Sequence, residues 1–186
     1  MECEAECVRP HLKPGDRLYV SGIGKVNAAA ATQRAICEGA TEIWNAGLCG
    51  GFGADISVGD VFSVDRAVEY DFDLAKLNGT AVGVLDEYDT PYLPVEPIAS
   101  LPVKTLATGD RFTDSEADYG LITKTLGASL RDMEGAAIAH VCKRAGVKCF
   151  SVKCVTNVAG HGSMTGQYEE NKRHCLARLS QVLSTL

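Results

Sequence analysis

Asp132-Met133-Glu134-Gly135-Ala136-Ala137-Ile138-Ala139-His140-Val141-Cys142 is the stretch whose reading decides the fold. Ile138, Val141, Cys142 and Ala145 fall at i, i+3, i+4 and i+7, the stripe of an amphipathic helix over 134–145. Asp132-Met133-Glu134 then lies at a strand-to-helix junction. A carboxylate there can serve as a dipole partner or cap. The small residues Gly135, Ala136 and Ala137 also suit a helix packed closely on a sheet, which would hold the carboxylate rigidly at a cleft. Such a group is well placed to accept hydrogen bonds from a sugar diol.

Outward from this helix, 148–155 reads as a strand, followed by a loop punctuated by Gly160, Gly162 and Gly166. Leu176, Leu179, Leu183 and Leu186 mark another helical face. Upstream, 17–20 is a short β-type run ending in Ser21-Gly22-Ile23-Gly24, and an Ala-rich helix over 25–38 stops at Gly39. Residues 42–46 read as a strand broken by the glycine-rich segment 47–53. Strands are also expected over 61–68 and 104–107, with a long loop or lid over 74–100. Strands alternating with helices indicate an α/β domain, whose ligands gather where loops leave the carboxyl ends of strands.

The composition agrees. In 186 residues, 46% are hydrophobic and 23% charged, enough apolar mass for a core within one domain spanning 1–186. The net charge of −6, from 18 basic and 24 acidic residues, argues against partners such as nucleic acid or an anionic membrane. No apolar run approaches the roughly 20 residues that span a bilayer. Met1-Glu2-Cys3-Glu4 lacks the basic and apolar regions of a signal peptide, so a cytoplasmic address is expected. The eight cysteines include no C-x-x-C pair, so neither a zinc site nor a disulfide framework is expected, and they read as reduced core filler.

Individual motifs are weaker. Gly22-Ile23-Gly24-Lys25 fails the P-loop template because Val26 follows the lysine, and fails the dinucleotide fingerprint because Asn27 stands at its third glycine. A nucleotide-dependent kinase or dehydrogenase is therefore disfavoured, and no cofactor or metal is expected. Phe112, beyond a Gly109-Asp110 turn, could stack on a planar base or belong to the core. Asn157 offers an amide that both donates and accepts. Of the histidines, His140 reads as structural, His11 and His174 have no motif, and His161 alone has the loop context of a site residue.

Taken in order, the segments resemble the purine and uridine phosphorylase superfamily, most closely its 5′-methylthioadenosine/S-adenosylhomocysteine nucleosidases. They are Met1-Glu2-Cys3-Glu4, Ser21-Gly22-Ile23-Gly24-Lys25-Val26, Asn45-Ala46-Gly47-Leu48-Cys49-Gly50-Gly51, Val58-Gly59-Asp60, Thr108-Gly109-Asp110-Arg111-Phe112 and the stretch opening at Asp132. The resemblance implies a three-layer α/β/α fold with a central mixed sheet, and cleavage of the bond between ribose and base. It places Glu4 as the base that activates water. It puts Met133 and Glu134 under the ribose, Phe112 on the base and Thr113 at the base edge. Ile23, Cys49, Gly50 and Asp132 fall with them in the substrate-binding set. Relatives assemble as dimers or hexamers, which implies a homo-oligomer, with 70–97 as the contact.

Two departures from the pattern shape the expectation. Asn157 stands where adenine-specific members carry an aspartic acid that protonates N7, and an amide cannot deliver that proton. Asparagine accompanies 6-oxopurine preference in the superfamily, so a hypoxanthine-type base, as in inosine or futalosine, is implied as an option. Asn45 and Leu48 stand where phosphorylases hold phosphate with an arginine and a serine, which favours hydrolysis over phosphorolysis, although Cys49 looks phosphorylase-like. The leading expectation is a nucleosidase acting on a purine nucleoside or a 5′-modified one. A phosphorylase and a nucleoside-binding relative with a degraded site are the alternatives. Relatives also carry an apolar strand before the Met-Glu motif and more chain between Glu4 and Ser21.

Overall fold

A computed structural model describes residues 1–85, 87–112 and 115–186. The helices are α1 (Glu2–Val8), α2 (Lys25–Cys37), α3 (Ala75–Asn78), α4 (Glu116–Gly120), α5 (Gly135–Ala145) and α6 (Met164–Leu183). The strands are β1 (Glu42–Gly51), β2 (Val61–Glu69), β3 (Leu93–Pro94), β4 (Val103–Thr108), β5 (Leu130–Asp132) and β6 (Lys148–Val158). They form one mixed sheet in the order β3-β2-β4-β5-β1-β6, which curls until β2 also pairs with β6. Helices α2 and α5 pack together on one side, while α6, backed by α1, covers β6 and β1 on the other. The three-layer α/β/α arrangement is thus present.

Burial explains why the central strands read as apolar runs. From Cys149 to Val158, β6 is almost wholly buried, because β1 flanks it in parallel and helices cover the sheet. Helix α5 buries Gly135 through Ala139 together with Cys142. Six of the eight cysteines are buried and all are free, as expected of core filler.

Three expectations need correction. Strand β1 is not broken at the glycines. It runs through Gly47 and Gly50 to Gly51, because this segment goes on pairing with β6, across a one-residue register shift after Cys49, and at its end with β5. Residues 17–20 form no strand. They line the same cleft as β1, yet no pairing joins the two, and a β-type run without a strand partner has nowhere to place its ladder hydrogen bonds. The segment 74–100 is not wholly loop, since it contains α3 and β3, the latter paired with β2.

Candidate active site

A cleft of about 1160 Å³ runs along β1 from Glu42 to Gly50, walled by α1, α2, residues 15–23 and α6, and reaches the ends of β5 and β6 at the start of α5. Its walls bring together Glu4, Ile23, Cys49, Gly50, Phe112, Asp132, Met133, Glu134 and Asn157, residues up to 153 positions apart in sequence. Thr113 lies outside the described residues. His161 is exposed in the turn after β6 and does not line the cleft.

The position of Glu4 follows from a glycine. Its Oε1 accepts the Leu48 N–H at 2.9 Å, and its Oε2 lies 2.6 Å from the backbone nitrogen of Met1, as in a capping box closing the first turn of α1. A Cβ on Gly47 would sit 2.7 Å from Oε1, so only glycine lets the carboxylate lie against β1. Glu4 keeps 18% of its side chain exposed, facing the cleft.

The start of α5 solves the usual problem of unsatisfied N–H groups at a helix N-terminus. Asp132 Oδ2 accepts from Gly135 N at 2.9 Å, and its Oδ1 takes the Thr108 hydroxyl at 2.6 Å. That hydroxyl oxygen in turn accepts from Ala136 N at 2.8 Å. The Lys153 ammonium completes the set, 2.8 Å from Asp132 Oδ2, with both side chains all but fully buried. Asp132 is therefore occupied from within, and Glu134 is the carboxylate turned toward the cleft, its Oε1 accepting from Gly24 N at 2.9 Å.

Charge is concentrated here. Burial and then the neighbouring Asp132 carboxylate push the Glu134 carboxyl above its ordinary value, against the pull of Lys153 and the Gly24 N–H. Burial works against charge on Lys153 as well, but Asp132 and Glu134 outweigh it and hold the ammonium firmly protonated. Lys153 also reaches Asn45 Oδ1 at 3.3 Å. Three carboxylates (Glu4, Asp132 and Glu134) thus surround one ammonium. Lys153 was missed as a functional candidate, although a lysine inside an apolar strand is a signal of its own.

At the other end, β6 carries a bulge. Cys49 pairs with Val155 and Gly50 with Asn157, which leaves Thr156 as the extra residue. Bulges re-aim side chains, and here Asn157 is turned over Gly50, whose added Cβ would meet its Nδ2 at 3.2 Å. The Thr156 hydroxyl donates to Asn157 Oδ1 at 2.6 Å, which fixes the amide, while Nδ2 donates to the weakly accepting Met164 Sδ at 3.3 Å. Cys49 contributes backbone rather than chemistry, because burial pushes its thiol far up.

The aromatic partner is split between two elements. Phe112, 49% exposed, meets the Tyr168 ring of α6 edge-on at 6.1 Å. Burial and the Glu4 charge push the Tyr168 hydroxyl up to about 12, so it stays a neutral donor. Ile23 stands 53% exposed at the mouth. The lysine of Gly22-Ile23-Gly24-Lys25 turns away to Glu69 at 2.9 Å and Asp71 at 2.7 Å, so it is no phosphate ligand. Among the described residues no cluster could hold a metal ion.

The phosphorylase superfamily model matches residues 17–186. The chain belongs to that superfamily. It is 32% identical over 164 residues to a 5′-methylthioadenosine/S-adenosylhomocysteine nucleosidase of Marinomonas sp. strain MWYL1, covering 78% of this chain and 69% of that one. It is 28% identical over 155 residues to the aminodeoxyfutalosine nucleosidase of Campylobacter jejuni, covering 77% and 68%. Among solved structures, a mutant of the Helicobacter pylori 5′-methylthioadenosine/S-adenosylhomocysteine nucleosidase, with 5′-methylthioadenosine in its active site, superposes with a TM-score of 0.86. That match has 18% identity and covers 100% of this chain and 94% of that one.

Proposed function

We propose that the protein is an N-glycosyl hydrolase that cleaves a purine nucleoside, or a 5′-modified one, as the nucleosidases it is similar to do by name. The observation that carries this reading is Glu4. It is a carboxylate held over Gly47 in the same cleft as Glu134, with an aromatic ring and a fixed amide at the far end. Bond breaking puts positive charge on the ribose and negative charge on the departing base. Glu4 and Glu134 stabilise the first, and the Asn157 Nδ2–H, exchanging a sulfur acceptor for N7, stabilises the second. Glu4 takes the proton of the attacking water, Glu134 accepts from the ribose hydroxyls with Met133 beneath the sugar, and Phe112 stacks on the base.

Electrostatics favours water over phosphate as the attacking group. The Lys153 ammonium lies 3.6 Å from where a Gly47 Cβ would be, but it is already committed to Asp132 and outnumbered by carboxylates. A phosphate dianion entering there meets net negative charge. Leu48 offers it no hydroxyl.

The proposal includes one domain over 1–186, action in the cytoplasm, and a homo-oligomer that buries the 70–97 segment. Two observations support these finer points. Among the described residues no helix is long and apolar enough to cross a membrane, and Leu77 of α3 stands 81% exposed. Base release from a panel of purine nucleosides tests the activity. Glu4→Gln is expected to lower kcat by at least about 10²-fold, the scale of lost general-base help, with KM little changed. Cleavage by the variant at the native rate contradicts the assignment.

A further inference from the structure

We propose that Lys25 is a positioning residue, one that sets the grip of Glu134 on the ribose hydroxyls. This rests on the nucleosidase reading and deepens it, and it gives a role to the Gly22-Ile23-Gly24-Lys25 turn, which fits neither nucleotide-loop template.

Glu134 accepts a hydrogen bond from Gly24 N at 2.9 Å, so the orientation of that peptide decides where the carboxylate points. Gly24 caps α2 at φ +96°, a conformation that glycine adopts freely, and it has no side chain with which to hold itself there. The next residue does the holding. Lys25 N–H donates to Asp110 Oδ1 at 2.7 Å, and the Lys25 ammonium donates to Asp71 Oδ1 at 2.7 Å and Glu69 Oε2 at 2.9 Å. Asp71 Oδ2 accepts from Asp110 N at 2.9 Å. Lys25, Asp71 and Asp110 thus close a ring of hydrogen bonds, with both ends of Lys25 in it.

The ring is fastened to the sheet. Glu69 ends β2 and pairs with Thr108, which ends β4 and donates its hydroxyl to Asp132 beside Glu134. The starts of α2 and α5 therefore hang from the same two strand ends, and Gly24 meets Glu134 between them. The Lys25, Glu69 and Asp71 side chains are each at most 19% exposed. Burial works against charge on Lys25, but its hydrogen bonds to Asp71 and Glu69 outweigh it and raise its value. The His140 ring of α5 lies 3.8 Å from Glu69, beyond hydrogen-bond distance, so it does not replace the ammonium. Without Lys25 the Glu69 and Asp71 carboxylates repel each other, the ring opens, and the Gly24 N–H moves off Glu134.

The test is kcat/KM for adenosine against 2′-deoxyadenosine, with inosine against 2′-deoxyinosine in parallel, and the dissociation constants of adenine and hypoxanthine, on the native protein and Lys25→Met. The native protein is expected to favour the ribonucleoside by about 10- to 100-fold, the worth of a hydrogen bond to a charged acceptor. Lys25→Met should bring that ratio close to one by weakening the ribonucleoside, and should leave free-base affinity unchanged. An equal loss for both nucleosides in a folded variant, which is what a merely structural role gives, overturns the proposal. So does a native protein that treats the two alike. If Lys25→Met does not fold, Asp110→Ala decides, because Asp110 is exposed and its loss opens the same ring, with the same selective weakening expected. If no nucleoside is cleaved the hydrolase reading fails, while calorimetric dissociation constants for the same nucleosides still judge Lys25 by the same ratio.

Discussion

Gly47 and Glu4 make one structural unit, though neither is informative alone. Gly47→Ala is expected to fold with a melting temperature within a few degrees of the native one, because the clashing atom is the free end of a side chain. The displaced carboxylate should lower kcat by about 10²-fold, the scale of a misplacement near 1 Å. A thermal melt and an initial-rate assay on one preparation check both halves. Glu134 gives a pH prediction. Its raised value means the carboxylate able to accept ribose hydroxyls is lost at a higher pH than for an ordinary glutamate near 4.3, so the acid limb of kcat/KM lies above that value. The same shift means the folded state holds this proton more tightly than the unfolded one. Its stabilising contribution is present below the unfolded value and fades as pH rises through the folded one. Glu134→Gln should therefore raise the melting temperature at pH 7–8, not below about pH 4, while activity is lost. In the sequence alone nothing sets Glu4 apart from its acidic neighbours Glu2 and Glu6. Only the resemblance gave it a role, because the contact with Leu48 spans 44 residues and leaves no local trace.

At the scale of elements, the junction from β5 into α5 was the most legible part of the chain. A carboxylate followed by small residues said cap and close packing, and both are present in Asp132, Thr108 and the buried face of α5. What remained hidden was its counter-ion. Lys153 lies 21 residues away, and only the pairing of strands brings it to Asp132. Lys153→Met should leave a buried carboxylate unpaired and cost about 3–5 kcal/mol in urea unfolding. Adding Asp132→Asn should restore part of that loss, whereas additive losses would show the pair to be uncoupled. The glycines of β1 misled in the opposite sense. They read as strand breakers, but here they permit close approach by Glu4 and Asn157 in a strand whose pairing carries on past the bulge at Thr156. The run at 17–20 had the right residues for a strand and lacked a partner, which local sequence does not report.

For the whole molecule, the α/β class followed from alternating elements, and the layered sheet from the resemblance. The curl that brings β2 onto β6 was not readable, since it depends on two antiparallel pairings remote in sequence. The molecule presents Leu77, 81% exposed, and Val26, 80% exposed. If 70–97 is the contact between copies, Leu77→Asp should lower the solution mass by light scattering relative to the native oligomer. A native protein that is monomeric at micromolar concentration contradicts that part of the account. The central claim is that this cleft delivers water to the ribose. The most direct measurement is the identity of the sugar product when a cleavable purine nucleoside is turned over in the presence and absence of millimolar phosphate. The account predicts free sugar at the same rate in both, and a sugar 1-phosphate formed only when phosphate is present would contradict it.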